Sequence, residues 1–369
     1  MDLKGSTLRS DERAQLELRS LYSSYGYRRY KMSKFEEYDL YARNKDFLVS
    51  DRVITFTDTN GKLMALKPDV TLSIIRNCGD VEGCVTKLYY NENVYRVSKG
   101  NGVFGEIMQT GLECIGDVDA YSIFEVIMLA AESLGKISAD YVLDISHMGV
   151  VEYAIERAGL PADSREKTLA YIGEKNAHEL RTLCAECGAD ASPLETLVST
   201  WGRADSVIPT LKEVFADCDA LCELEELVHS LGKCGYGEHI NIDFSVTGNA
   251  RYYNGFVFNG FVNGISSRIL SGGQYDKLMQ SMGRRSRAVG FAIYLDLLER
   301  FGDCTCAYDV DTVILYDDGT PLDVLLGMIK MLNSSGKSVT AQRKLPEGLH
   351  CKQLMRLREG SVEIIENNA

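Results

Sequence analysis

From about Gly149 to Gly235 the chain reads as helical periods broken at Gly159-Leu160-Pro161, Gly188, Pro193 and Gly202, and strand signals stand on both sides of that stretch. Such a pattern describes one sheet that stops and resumes, an α+β core carrying a helical insertion. Upstream, Ser10 to Tyr25 places Ala14, Leu18, Leu21, Tyr22 and Tyr25 on one helical face, with Ser10 as N-cap and Gly26 as stop. Val53 to Thr57 and Met64 to Leu66 flank Asn60-Gly61, which predicts a two-residue hairpin turn. Val85 to Tyr90, Val94 to Ser98 and Ile107 to Ile115 read as strands, and Ala120 to Gly135 turns helical. Hairpins followed by a helix suggest an antiparallel sheet backed by helices.

After the insertion, strand signals return at Ile240 to Val246 and Tyr252 to Val262. Ser271-Gly272-Gly273 and a glycine-flanked helix from Gly290 to Phe301 follow. Beyond Cys304 come the strand TVILYD, a helix from Pro321 to Leu332 closed by Gly336, the strand SVTAQ, a short helix near Cys351 to Arg358 and a last strand, VEIIE. Alternation on this scale reads as a small α/β domain. The expected division is therefore a core over 1–303, with 149–235 inserted in it, and a small domain over 304–369.

Composition limits the partners. Of 369 residues, 40 are Lys or Arg against 53 Asp or Glu, and a net charge of -13 repels polyphosphate unless a local basic face compensates. The 45% hydrophobic and 25% charged content is that of a globular chain with a sizeable core. No charged-then-apolar leader opens the sequence, and no apolar run approaches the roughly 18 residues of a membrane helix, so a cytoplasmic protein is expected. In that reducing compartment the 11 cysteines read as thiols. Cys184 and Cys187 form the C-x-x-C of a helical stretch with no paired second half nearby, so no metal site is expected.

Polar residues stand out where the pattern is that of strands. Lys67, Asp69 and Thr71 lie in ALKPDVT, and Gln109 and Glu113 lie in IMQTGLECIG. Gln109, Gly111 and Glu113 are spaced by two, so in a strand they share a face that carries an amide and a carboxylate. Such a face is either the solvent side of a half-exposed sheet or the wall of a pocket for a zwitterionic or cationic ligand. Lys99 to Gly105 is a glycine-rich hairpin loop; a strand follows it, not a helix, which argues against phosphate binding. The tyrosines of RYYNGFVFNGF read first as sheet packing, and Arg284, Arg285 and Arg287 as a solvated loop. No H-E-x-x-H, G-x-S-x-G or Walker pattern occurs, so no catalytic residues and no cofactor are assigned.

Read together, these passages resemble the catalytic core of class II histidyl-tRNA synthetases, from near residue 5 to residue 301. The similar segments are YGYRRYKMSKFEEYDLY, MALKPDVT, NVYRVSKGNGVFGEIMQTGLECIG, RYYNGFVF and GGQYDKLMQSMGRRSRAVGFAIYLDLLE, in that order. The resemblance implies a class II synthetase-like antiparallel sheet with flanking helices, and a homodimer through that core. It also carries over a histidine pocket made by Asp69, Thr71, Arg96, Gln109, Glu113, Arg251, Tyr252 and Tyr253.

The departures from the synthetase pattern matter as much. Leu297 stands where those synthetases have an arginine that clamps ATP phosphates, and a leucine makes no charge-assisted phosphate contact. Gly248 stands where an arginine contacts the substrate carboxylate, with Arg251 nearby as a candidate substitute. Ser98 and Lys99 replace a glutamate and an arginine, and Gln274 replaces an arginine. Losing the phosphate cations removes most of the electrostatic catalysis of adenylation. A core that keeps a histidine pocket and loses ATP chemistry is similar to the regulatory subunits of ATP phosphoribosyltransferase. That resemblance implies a short-form catalytic subunit as partner, a hetero-octamer, histidine as effector, and no tRNA. The tail after Cys304, roughly 60 residues, is short for an anticodon-binding domain and resembles a reduced one.

Overall fold

The computed structural model describes residues 8–48, 53–79, 83–97, 102–247, 252–298, 301, 308–358 and 361–368. It divides into two compact units, Met1–Phe301 and Gly302–Ala369; residues 303 and 304, where the sequence pattern places the boundary, lie outside the described residues.

The first unit opens with helix α1 (Ser10–Ser24), which buries Ala14, Leu18, Leu21 and Tyr22. Ser10 is its first helical residue, not its cap; Arg9 precedes it, and the Arg9 amide donates to Glu12. Strands β1 (Arg28–Arg29) and β2 (Phe35–Glu37), helix α2 (Tyr38–Arg43), strands β3 (Thr55–Thr57) and β4 (Leu63–Leu66) and helix α3 (Thr71–Asn77) follow. β2, β4 and β3 form a three-stranded sheet. The β3–β4 turn is wider than the two residues predicted from Asn60-Gly61. The Asp58 carboxylate accepts from the Asn60 and Lys62 amides, and Gly61 takes φ +79° to complete the wider loop.

The main sheet then starts with two long strands, β5 (Val85–Val97) and β6 (Phe104–Gly116), followed by helix α4 (Ala120–Ile137) and strand β7 (Tyr141–His147). Helices α5 (Met148–Ala158), α6 (Arg165–Gly173), α7 (Ala177–Cys187), α8 (Ser192–Ser199), α9 (Ala204–Val214) and α10 (Asp219–Lys233) fill the stretch before β9 (Ile240–Ile242). They are interrupted only by β8 (Gly202–Arg203), two residues that the sequence pattern does not show and that pair with β9. β10 (Phe256–Val262), β11 (Leu270–Gln274), the short helix α11 (Asp276–Ser281) and β12 (Arg287–Tyr294) complete the unit. The sheet order is β1-β5-β6-β12-β11-β10-β7-β9-β8, antiparallel except for β1–β5 and β7–β9. Strands from before and after the helical stretch therefore interleave.

In the first unit, two predicted elements take other forms. Gly290 to Tyr294, expected as the start of a helix, is strand β12, because it is held between β6 and β11 on both edges; only Leu295–Leu298 coil, as a 3-10 turn. Tyr252 to Gly255, expected as strand, is a turn. Asn254 and Asp276 pin it by a reciprocal pair of hydrogen bonds of 2.8 and 3.1 Å.

Alternation along the strands sends Leu112, Cys114, Val289 and Phe291 toward α1 and α4, where they join the main apolar core. The opposite face of the same strands carries Tyr90, Gln109, Glu113, Gly290 and Tyr294, and that is the face of the site.

The second unit is a four-stranded sheet in the order β14 (Val339–Gln342), β13 (Val310–Leu315), β15 (Cys351–Arg358), β16 (Ser361–Asn367), with helix α12 (Leu322–Ser334) packed on it through Leu325 and Leu332. Cys351 to Arg358, predicted as a helix from its Lys, Gln, Leu, Met and Arg, is a central strand. Pairing on both edges and burial of Leu354, Met355 and Leu357 override the local propensity.

Candidate functional site

Cross-strand register lays out the floor of a cavity of about 990 Å³ in the first unit. Glu113 of β6 is directly opposite Gly290 of β12, which is opposite Gly273 of β11. Two residues along, Gly111, Ala292, Ser271 and Asn259 line up across β6, β12, β11 and β10. Two further, Gln109 faces Tyr294. The middle of the floor carries the small side chains of Ala292 and Ser271 beside the Tyr90 ring, which lies over Gly111, with a carboxylate at one end and an amide and a phenol at the other. This settles the alternative left open by the spacing of Gln109 and Glu113: both are buried against the cavity, and neither lies on a solvent face.

Glu113 is the chemical centre of the deep end. It is 2% exposed, and its carboxylate accepts from Thr71 Oγ1 at 2.7 Å and from the Tyr275 hydroxyl. Burial pushes its pKa up to about 8, against the pull of those two donors, and the neighbouring Asp69 carboxylate adds to the rise. Asp69 is held just before α3, where Oδ1 accepts from the Leu72 amide at 2.9 Å. Its Oδ2 lies 3.8 Å from Arg96 Nη2. Burial also raises Asp69, and Arg96 and the α3 amides oppose that. Arg96 is fixed in turn by donation from Nε to the Pro68 carbonyl at 2.8 Å. Two carboxylates and one partly engaged guanidinium at the buried end of the cavity make a receptor for an ammonium or a ring N–H.

Aromatic rings close the walls. Tyr252 and Tyr253 sit edge-to-face at 4.6 Å in the pinned turn, and Tyr252 lies 5.5 Å from Tyr275 and 6.3 Å from Phe47. Tyr253 covers Gly273, where any side chain would strike its ring. A β-carbon at Gly290 would run into the Glu113 carboxylate.

Of the residues named from the sequence, Asp69, Thr71, Arg96, Gln109, Glu113, Tyr252 and Tyr253 all line this one cavity. Arg251 and Gly248 lie outside the described residues, as do Ser98 and Lys99. Tyr275, Gly290, Ser271, Asn259, Tyr294 and Arg268 also belong to it and were not singled out. The segment GGQYDKLMQSMGRRSRAVGFAIYLDLLE contains Tyr275, Gly290 and Tyr294, and RYYNGFVFNGF contains Asn259; nothing in the sequence pattern points to Arg268.

The departures take up structural work. Leu297 packs against the main apolar core in the 3-10 turn after β12. Gln274 is buried, and its Oε1 accepts from the Phe256 amide at 2.8 Å, tying β11 to β10. Arg284 and Arg287 are not a bare solvated patch: Arg284 donates to the Ile75 and Arg76 carbonyls, and Arg287 pairs with Asp276 at 3.3 Å. Cys184 and Cys187 lie on α7, and no cluster of metal-ligating side chains occurs among the described residues.

Comparison with known proteins agrees with this layout. The sequence profile of the family described as histidyl-tRNA synthetase matches residues 1–298. The ATP phosphoribosyltransferase regulatory subunit of Clostridium acetobutylicum is 28% identical over 336 residues, covering 87% of this chain and 82% of that protein. The solved structure described as an ATP phosphoribosyltransferase regulatory subunit/histidyl-tRNA synthetase from Bacillus halodurans C superposes with a TM-score of 0.73 at 22% identity, over 94% of this chain and 93% of that one. A chain of the ATP phosphoribosyl transferase complex from Thermotoga maritima does so with a TM-score of 0.62 at 21% identity, over 77% of this chain and 97% of that one. At such identities the two superpositions establish the fold, and the profile establishes membership: the chain belongs to the histidyl-tRNA synthetase family.

Proposed function

We propose that this chain is the regulatory subunit of an ATP phosphoribosyltransferase in histidine biosynthesis, not a catalyst in its own right. One observation carries the reading. The carboxylates of a cavity suited to an amino acid with a basic ring are in place, while position 297 holds a leucine packed against the apolar core and not a cation that could meet a phosphate. The curated relative from Clostridium acetobutylicum, named a regulatory subunit of that enzyme, supports the same assignment.

On this reading the chain binds a short-form catalytic subunit, supports its activity and conveys feedback by histidine. Histidine held between Asp69, Gln109 and Glu113, with Tyr253 against the ring, regulates the complex by binding its active and inactive states unequally. The assembly is a hetero-octamer of four and four built on a homodimer of the synthetase-like core, it works in the cytoplasm, and it does not read tRNA.

The test is to mix the protein with the short-form catalytic subunit from the same source and follow phosphoribosyl-ATP formation. Activity that appears in the mixture and falls with histidine is expected. The chain alone, given histidine and ATP, should exchange no pyrophosphate; exchange at a synthetase-like rate would overturn the reading in favour of a divergent histidyl-tRNA synthetase.

A further inference from the structure

The cavity has two electrostatic poles. Asp69 and Glu113 make the acidic one. The opposite end is bounded by the segment that enters β11, where the Ile269 amide donates to Gly260 at 2.9 Å and the Ile269 carbonyl accepts from Tyr294 at 2.8 Å. Those bonds bring Ile269 level with Tyr294, and therefore with Gln109. Arg268 immediately precedes it, is exposed, and lines the same cavity. Five positions separate Arg268 from Gly273, the β11 residue in the row of Glu113, which is about 16 Å along an extended strand at ~3.3 Å per residue. A long arginine side chain leaning into the cavity shortens that gap toward the length of a small amino acid. Arg268 is also close enough to Tyr253 for its charge to favour that phenol's ionised form.

The geometry points to Arg268 as the residue that binds the carboxylate of a zwitterionic amino-acid ligand whose ammonium and ring lie against Asp69 and Glu113. This rests on the histidine-effector reading above and gives it a polarity along the strands. The synthetase pattern places its carboxylate-binding arginine where this chain has Gly248; that position and the nearby candidate Arg251 lie outside the described residues, and the cations among the described residues that line the cavity are Lys45, Arg96 and Arg268. Arg96 is poorly placed for the carboxylate, since its Nε is committed to Pro68 and its Nη2 faces Asp69 at the acidic pole. Lys45 also lines the cavity, but from the side of Phe47 and Tyr252, away from the β11 entrance. Between the poles the floor is the small side chains of Ala292 and Ser271, beside the Tyr90 ring that lies over Gly111.

The experiment is calorimetric titration of the full chain, alone and with its catalytic subunit, using L-histidine and L-histidinol. Histidinol keeps the imidazole and ammonium and replaces the carboxylate with an alcohol. Expected is histidine affinity about 10- to 100-fold above that for histidinol, the range of a hydrogen bond to a charged group. Arg268→Gln should remove that difference by weakening histidine and leaving histidinol unchanged. Arg268→Lys should restore part of it, and Lys45→Gln should leave it in place. Arg268 is exposed, so these variants should fold, which circular dichroism checks. If Arg268→Gln binds histidine as tightly as the unsubstituted chain, or if the selectivity disappears with Lys45→Gln instead, the assignment of Arg268 is overturned while the pocket stands. If neither compound binds the unsubstituted chain in either setting, the histidine reading of the pocket falls and this inference falls with it.

Discussion

Glu113 on β6 and Gly290 on β12 are cross-strand partners, and the space left by the missing side chain of Gly290 is the space the Glu113 carboxylate fills. A β-carbon there would also meet the Leu112 carbonyl, which is backbone and cannot swing away. Gly290→Ala is therefore an overpacking change, expected to cost about 1–3 kcal/mol of stability and to displace Glu113. Denaturant unfolding should show the loss, and histidine titration should show binding abolished. A variant of unchanged stability that still binds histidine would mean that Glu113 sits elsewhere.

The protonation of Glu113 gives a second outcome. Its carboxyl, ordinarily near 4.5, is raised to about 8 by burial. Between those values the folded chain holds a proton that the unfolded chain has lost, so this group's contribution to stability is full below 4.5 and disappears as pH rises through 8. Asp144, raised to about 6, acts in the same direction over a lower range. His147, lowered from 6.5 to about 4 by burial, acts oppositely below 6.5. Above pH 6.5 the slope of stability therefore reports Glu113 together with its neighbour Asp69, which burial raises in the same direction. Ligand-free protein should lose stability between pH 6.5 and 8, and Glu113→Gln should make the curve shallower. A flat curve in the unsubstituted chain would show that Glu113 is ionised throughout.

Tyr275 donates to Glu113 and so favours its ionised form. Tyr275→Phe removes that donor while keeping the ring near Tyr252. The pH-dependent loss of stability should then extend above 8, and histidine affinity near neutral pH should fall about 10-fold or more. Titration of both variants across pH separates the two effects. An unshifted profile would make Tyr275 a packing residue only.

The acidic end of this site was legible in the sequence because it depends on short range. Gln109, Gly111 and Glu113 betray a shared face by their spacing, and Asp69 and Thr71 lie within one loop and the start of α3. The remainder depends on which strands become neighbours. Gly290, Ser271 and Arg268 reach the cavity only because β12 inserts between β6 and β11, a pairing that no local pattern encodes. The same cause explains the two helices expected at Gly290 to Phe301 and Cys351 to Arg358. Both stretches carry helix-compatible residues, and Gly290 to Tyr294 and Cys351 to Arg358 become interior strands through partners distant in sequence.

Lys67 shows how the loop of Asp69 is held in place. It is 1% exposed, and its ammonium is bonded to Glu92 of β5, the strand neighbour of Gln109. Its backbone is tied as well: the amide donates to Lys34 at 3.1 Å and the carbonyl accepts from Tyr95 at 2.9 Å. The ion pair thus fastens the chain two residues before Asp69 to the strand beside the cavity floor. Removing one partner strands a largely buried charge, so Lys67→Met is expected to cost about 3–5 kcal/mol. Replacing both, as Lys67→Met with Glu92→Leu, should recover most of that stability, because an apolar pair of similar volume needs no desolvation. Histidine affinity should not recover to the same degree if the pair also sets the position of Asp69, since apolar packing does not fix a loop as directionally as a charged hydrogen bond. A double-mutant cycle measured by both unfolding and histidine titration separates these contributions. Full recovery of affinity along with stability would make the pair a matter of burial alone, while recovery of stability without affinity would identify Lys67 and Glu92 as positioning residues for the site.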